Sequence, residues 1–243
     1  MLKVKLYNYY RIMLYYIKIF NKEGKMDRFK IIRNDKEIIE IYNKISEYED
    51  NRKGWAHHDL AHVSNVAELV EKLLHNLNYD SDLIEEAKIA AILHDVGCLE
   101  GKEGHALRSY EYAKEYFKKK EMELKYKELV LEAIKIHSDG FDTNNIIALA
   151  LILSDKLDIK YTRVAKEGYN IKGMKELQFI KDILIDIHNN ILEINFICDD
   201  KIKKKELEEF YFMAKVFKAI ESFSIKMNLM PNVLFNYKKW NNS

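Results

Sequence analysis

Six residues share one feature of position: His62, His94, Asp95, His105, His137 and Asp155 each stand at an end of a stretch with helical apolar periodicity. His62 opens a segment that turns Val63, Val66, Leu69, Val70 and Leu73 inward, and His94-Asp95 closes the run Ile89–Leu93. His105 opens the next segment, His137 closes Leu129–His137, and Asp155 follows the unbroken apolar run 146–153. Imidazole and carboxylate groups held at the ends of rigid elements can move protons or bind a metal ion. A carboxylate carried into an apolar interior costs several kcal/mol unless it is neutralised, paired or bound to a metal. Any single histidine is more often a core or surface residue than a ligand, and the dipeptide His-Asp occurs twice, at 58–59 and 94–95. The weight therefore falls on the ordered set.

Positioning this set requires helices. Helical periodicity covers Asp35–Glu49, Leu60–Leu77, Ser81–Val96, Ala106–Lys119, Lys125–His137, Asn145–Asp158, Met174–Asn189 and Lys204–Met227. Ser81 with Glu85 and Glu86 reads as a capped helix start, and Gly97 as the glycine closing that helix. The segments 87–93 and 146–153 are apolar nearly all round, which places them at the centre of a bundle. Leu192–Cys198 alternates as a short strand, one arm of a hairpin on the helical body. One proline and eight glycines are too few for the turns of an all-β fold. The expected class is mainly α with a short β-hairpin near the C-terminal part.

The order His62, His94-Asp95, His105, His137, Asp155 resembles the HD superfamily of metal-dependent phosphohydrolases, whose signature is His…His-Asp…Asp on a helical bundle. The local strings agree: His62-Val-Ser-Asn-Val-Ala-Glu, Ala90-Ala-Ile-Leu-His94-Asp95-Val-Gly97, Ile134-Lys-Ile-His137-Ser and Ile152-Leu-Ser-Asp155-Lys-Leu-Asp158. The resemblance covers 56–160, leaving 1–55 and 161–243 as helical extensions before and after an HD core. It implies that His62, His94, Asp95 and Asp155 hold one ion, and that Asp95 bridges to a second held by His105 and His137. Donors of this type suit divalent Mn, Fe, Co, Ni or Zn. The implied chemistry is attack of metal-bound hydroxide on a phosphoester or phosphoanhydride, with Asp95, His94 and His137 in the catalytic group. His137 or His105 could instead serve as general acid in a centre with one ion. A catalytically silent metal- or nucleotide-binding regulatory module is the competing reading.

Several neighbours are candidates for supporting roles. Lys102 and Arg108 are free either to meet substrate phosphate or to remain solvated. His58 and Asp59 match a His-Asp-x-x-His start found in some small bacterial members; they could orient His62, or Asp59 could cap the following helix. Asp158, one turn beyond Asp155, is a similar candidate. The loop Gly97–Gly104 is not a phosphate-binding loop of the Gly-Lys-Ser/Thr type, since Glu103 stands where the hydroxyl should be. Absence of Glu-Asp two residues beyond His94-Asp95 argues against guanosine-tetraphosphate hydrolysis. Absence of His-His-Glu and Gly-Tyr-Pro argues against cyclic-dinucleotide hydrolysis. Both histidines of the second site are present, as in small binuclear members, which points to a small phosphorylated substrate of the nucleotide kind.

Forty Lys+Arg against 39 Asp+Glu leave a net charge of +1, so no bulk charge marks a nucleic-acid or anionic-membrane surface. Cys98 and Cys198 form no Cys-x-x-Cys motif, which suits two inert thiols in a reducing cytoplasm. No apolar stretch is long enough to span a membrane. Residues 1–20 read as a helix packing on the body or as a peripheral amphipathic segment, and Met26 is a candidate start of translation. The apolar face of 210–220 reads as packing onto the body or as a homodimer contact.

Overall fold

The computed structural model describes residues 27–51 and 55–240; the expectations for residues 1–25 lie outside these. Among the described residues, seven α-helices precede the sheet: α1 (Arg28–Arg33), α2 (Lys36–Asn51), α3 (Leu60–Asn76), α4 (Ser81–Leu93), α5 (His105–Lys119), α6 (Lys127–Ile136) and α7 (Ile146–Leu157). The two apolar segments sit where their composition requires. Every residue from Ile147 to Leu157 is buried, and α7 packs against α3, α4, α6 and α9 (Met213–Lys226). Helix α4 is enclosed by α1, α3, α6 and α7. Burial of each large aliphatic side chain stabilises by roughly 1.5–3 kcal/mol, so these two helices anchor whatever stands at their ends.

Side-chain caps start four of the described helices, α1 among them, where Asp27 accepts from the Lys30 amide at 2.8 Å. Asp59 accepts from the His62 amide at 2.8 Å, and Asn145 from the Ile147 and Ala148 amides at 3.0 and 3.2 Å. At α4 the cap is Asp80, not Ser81, accepting from the Leu83 amide at 3.1 Å. Gly97 does not close α4, which ends at Leu93; it lies in the 3-10 turn Val96–Glu100. Its lack of a side chain serves close approach, since a Cβ there would stand 2.3 Å from the His105 carbonyl oxygen and 2.7 Å from the Ser109 amide.

Beyond α7 the chain differs most from expectation. Met174–Asn189 is a 3-10 turn (Met174–Phe179) followed by strand β1 (Ile180–His188), not a helix. A bulge between Ile180 and Asp182 puts the buried Ile180 and Ile183 three residues apart, which imitates helical spacing. β1 pairs antiparallel with β2 (Ile191–Cys198) through Asn189-Asn190, both at positive φ (49° and 60°), as a two-residue hairpin turn demands. Strand β3 (Met230–Phe235) joins β2 in parallel after α8 (Lys204–Glu208) and α9, and β4 (Lys238–Lys239) pairs with β3. The expected helix Lys204–Met227 is thus two helices. Between them Phe210 is buried while Tyr211 is exposed. Among the described residues, no helix is long and apolar enough to cross a membrane.

Candidate metal centre and cleft

The C-terminal end of α4, the start of α3, the start of α5, the end of α6 and the end of α7 meet at one place. His94 follows α4, His62 lies in the first turn of α3, His105 begins α5, His137 follows α6, and Asp155 lies in the last turn of α7. All six expected residues are buried there. Donor atoms of His62, His94, Asp95 and Asp155 lie within 4.8 Å of one another.

The two oxygens of Asp95 face different partners. Oδ2 stands 3.1 Å from His94 Nε2 and 3.4 Å from His62 Nε2, while Asp155 Oδ1 lies 3.3 Å and 3.7 Å from the His62 and His94 Nε2 atoms. Oδ1 stands 3.2 Å from His105 Nε2 and 3.7 Å from His137 Nε2. Cys98 Sγ also reaches Oδ1, at 3.4 Å, and Asp95, Cys98 and His105 form a second group able to hold an ion. The buried thiol sits against the Asp95 carboxylate, and burial raises its pKa far above the usual thiol range.

Ring orientation is set on the other side of each imidazole. The Nδ1 atoms of His94, His105 and His137 lie 2.7 Å from the carbonyls of Ala91, Lys102 and Ile134, each three residues earlier. His62 Nδ1 instead meets Asp158 Oδ2 at 2.7 Å, and Asn65 donates to Asp158 Oδ1 at 3.3 Å. A proton held at Nδ1 leaves the Nε2 lone pair free, which is how outer partners prepare an imidazole to ligate. All four Nε2 atoms point inward.

Inside the cluster a positive centre is what the donors lack. His62 Nε2, His94 Nε2 and Asp95 Oδ2 are buried without a hydrogen-bond partner among the described residues. The Nε2 atoms of His105 and His137 lie 2.9 Å apart, and with both Nδ1 protons directed at carbonyls they present lone pairs to each other. Buried polar groups are normally satisfied, so this arrangement fits a divalent cation bound by nitrogen and oxygen ligands. Burial drives the Asp95 carboxyl upward, but His94, Lys102 and the His105 contact hold it well below the usual range. Asp155 behaves alike, with Lys156, His62 and His94 outweighing burial. Burial takes His137 down to about 4. For His62, burial and Arg163 are outweighed by Asp155, Asp158 and Asp95, which carry it up to about 9.

With this geometry the comparison with known families is decisive for part of the chain. Residues 59–160 match the HD domain model. This segment is an HD domain. A search of curated proteins found no match to the chain. HD domains are generally hydrolases and bind divalent metals, and the His/Asp cluster of this HD domain could hold one.

The HD domain opens on a cleft of about 900 Å³, whose walls also draw on residues outside the matched segment, among them Tyr48, Trp55, Met174 and Tyr211. The supporting residues are distributed differently from expectation. Asp158 orients His62, whereas Asp59 caps α3. His58 does not meet the His62 ring nitrogens. Its Nδ1 donates to Glu49 Oε1, and its Nε2 accepts from Lys102 Nζ at 2.7 Å. Burial, Lys102 and Arg163 push the His58 pKa well below its usual value, while burial takes Glu49 up to about 7. Lys102 lines the cleft, with Nζ 3.7 Å from Asp95 Oδ1. Arg108 is turned to the backbone instead, donating from Nε to Gly97 O at 2.9 Å, from NH1 to Glu103 O at 2.7 Å and from NH2 to Gly101 O. It pins the loop before His105.

Three buried charged residues of the cleft escaped the sequence reading. Glu49, at the end of α2, carried no local signal. Lys156 did, as a cation following an eight-residue apolar run; its Nζ pairs with Asp155 Oδ2 at 2.6 Å. Arg163 is buried in a 3-10 turn just after the domain.

Proposed function

We propose that the protein is a metal-dependent phosphohydrolase acting on a small, nucleotide-like phosphoester or phosphoanhydride. The observation that supports this reading most is the convergence of unpartnered Nε2 atoms of His62 and His94 on Asp95 and Asp155 beside a cleft rich in cations. His62, His94, Asp95 and Asp155 would hold one ion; Asp95, His105 and His137 fit a second, with Cys98 adjoining. A bound divalent ion supplies Lewis-acid activation of water and neutralises charge on a phosphoryl group.

The chain's own residues do the rest. Asp158 and the carbonyls of Ala91, Lys102 and Ile134 hold each imidazole with its lone pair inward. Lys156 fixes one oxygen of Asp155, leaving the other for the cluster. Lys102, held by the Glu49–His58 pair, places a positive charge beside Asp95, where it can meet a phosphate oxygen. The volume is ample for a nucleotide-sized molecule, and exposed Trp55 and Tyr211 offer faces on which a base can stack.

The test is phosphate release from a panel of nucleotides and p-nitrophenyl esters with Mn²⁺, with and without chelator. Turnover that requires metal and disappears in His94→Ala and Asp95→Ala, with helicity retained, supports the reading. No turnover with metal demonstrably bound would overturn it in favour of a regulatory module.

A further inference from the structure

Arg163 is set in place by backbone on both sides. The His57 amide donates to the Arg163 carbonyl at 3.0 Å, the Ala165 amide to the Trp55 carbonyl at 3.1 Å, and Ala56 and Val164 form an antiparallel bridge. The residue lines the cleft, its side chain only 10% exposed. Its guanidinium, however, is poorly matched. The one carboxylate within 4 Å among the described residues is Asp158, whose Oδ2 lies 3.9 Å from Nε and already faces His62 Nδ1 at 2.7 Å. NH1 is buried with no hydrogen-bond partner.

A guanidinium offers five donors, and holding it out of water without partners costs several kcal/mol. Such a group, preorganised and facing a cavity, is suited to a ligand with several anionic oxygens in a compact array. Phosphate has this form, and Arg recognises it through paired N–H···O bonds. Lys102 and Lys156 line the same cleft and add positive charge.

We propose that Arg163 is the principal grip of an anion subsite in the cleft, binding a phosphoryl group of the substrate, with Lys102 as its auxiliary cation. Calling the ligand a substrate rests on the phosphohydrolase reading; the anion subsite itself can be tested without turnover. Because Arg163 adjoins Asp158, which orients His62, the subsite also sets a bound phosphate near the metal centre. Arg163 follows the matched HD segment, so this grip belongs to the region after it.

The experiment measures binding of pyrophosphate to metal-free protein in chelator by calorimetry, for the wild type, Arg163→Gln and Arg163→Lys. The Mn²⁺ affinity and melting temperature of each protein are measured in parallel. The expected result is pyrophosphate binding by the wild type, weakened at least tenfold in Arg163→Gln and less in Arg163→Lys, with Mn²⁺ affinity unchanged within twofold. Equal pyrophosphate affinity in all three proteins, or no binding by the wild type, overturns the subsite. So does a variant that loses Mn²⁺ affinity and melting temperature while keeping pyrophosphate, since Arg163 would then act only through Asp158. Arg163-dependent binding without any hydrolysis leaves the subsite standing and removes the enzyme reading. Metal-dependent hydrolysis with KM unmoved in Arg163→Gln does the reverse.

Discussion

Asp158 Oδ2 lies 2.7 Å from Nδ1 of His62, while the opposite ring nitrogen faces Asp95 and Asp155. The imidazole is thereby held between a carboxylate that accepts its Nδ1–H hydrogen bond and two that would share its metal. Replacing Asp158 by Asn keeps the shape and removes the charge. Loss of such an outer partner typically lowers metal affinity about 10–100-fold. Calorimetric titration with Mn²⁺ should show that loss in Asp158→Asn, with the helical circular dichroism unchanged; unaltered affinity would mean that the contact does not prepare His62.

Metal should bind the folded chain and not the unfolded one. At a free concentration 100 times the dissociation constant, a single ion then adds about 2.7 kcal/mol. Melting temperature should rise with Mn²⁺ and return to the metal-free value on adding chelator. In His94→Ala the ion should produce little or no rise. An equal rise in that variant would place the ion elsewhere.

Gly97→Ala tests the packing behind His105. The added methyl meets the His105 carbonyl, the Ser109 amide and Arg108 Cβ, all closer than 3.0 Å. Backbone, not a flexible side chain, stands in the way at two of these contacts. Overpacking of this kind costs about 1–3 kcal/mol or more. The outcome expected is a lower urea midpoint together with weaker binding of the second of two metal equivalents, because displacement of α5 moves His105 away from Asp95.

A different ion pair carries a pH signature. Asp35 accepts from Tyr116 at 2.8 Å and pairs with Lys120 at 2.6 Å, joining the α1–α2 junction to α5. Burial raises its pKa, but Lys120 and Tyr116 outweigh it and leave the carboxyl below 3.8. A folded pKa below the unfolded one stabilises above the unfolded value, and the gain is lost as pH falls through the folded value. Asp35→Asn should therefore cost about 1 kcal/mol at pH 7, allowing for partial solvent screening, and less at pH 2. Urea melts at the two pH values check this; an equal loss at both would exclude the electrostatic origin.

What could be read from the chain alone followed from the physics of burial. The central helices were visible because continuous apolar runs permit few other solutions, and the six ligand candidates because each ended or began such a run. Asp155 and His94 needed no knowledge of the fold to be noticed. β1 was misread because its bulge displaces Ile180 and Ile183 into a helical interval, although the β-branched content and the Asn-Asn turn pointed the other way. The His-Asp-x-x-His start links His58 to His62, but its ring partners are 9 and 44 residues away, at Glu49 and Lys102. Arg163 had no periodic or motif context at all. Groups that act through tertiary contact leave little trace in a linear pattern.

Three of the four inward-facing imidazoles take their bearing from a carbonyl one turn behind them. Aim is thus decided within four residues of chain, whereas the gap between rings is decided by how whole helices stack. The two can vary separately. A small slide of one helix past another would widen or narrow the nest without turning any lone pair outward, so a change of preferred ionic radius is accessible through remote substitutions in α4, α5 or α6 that leave every coordinating side chain as it is.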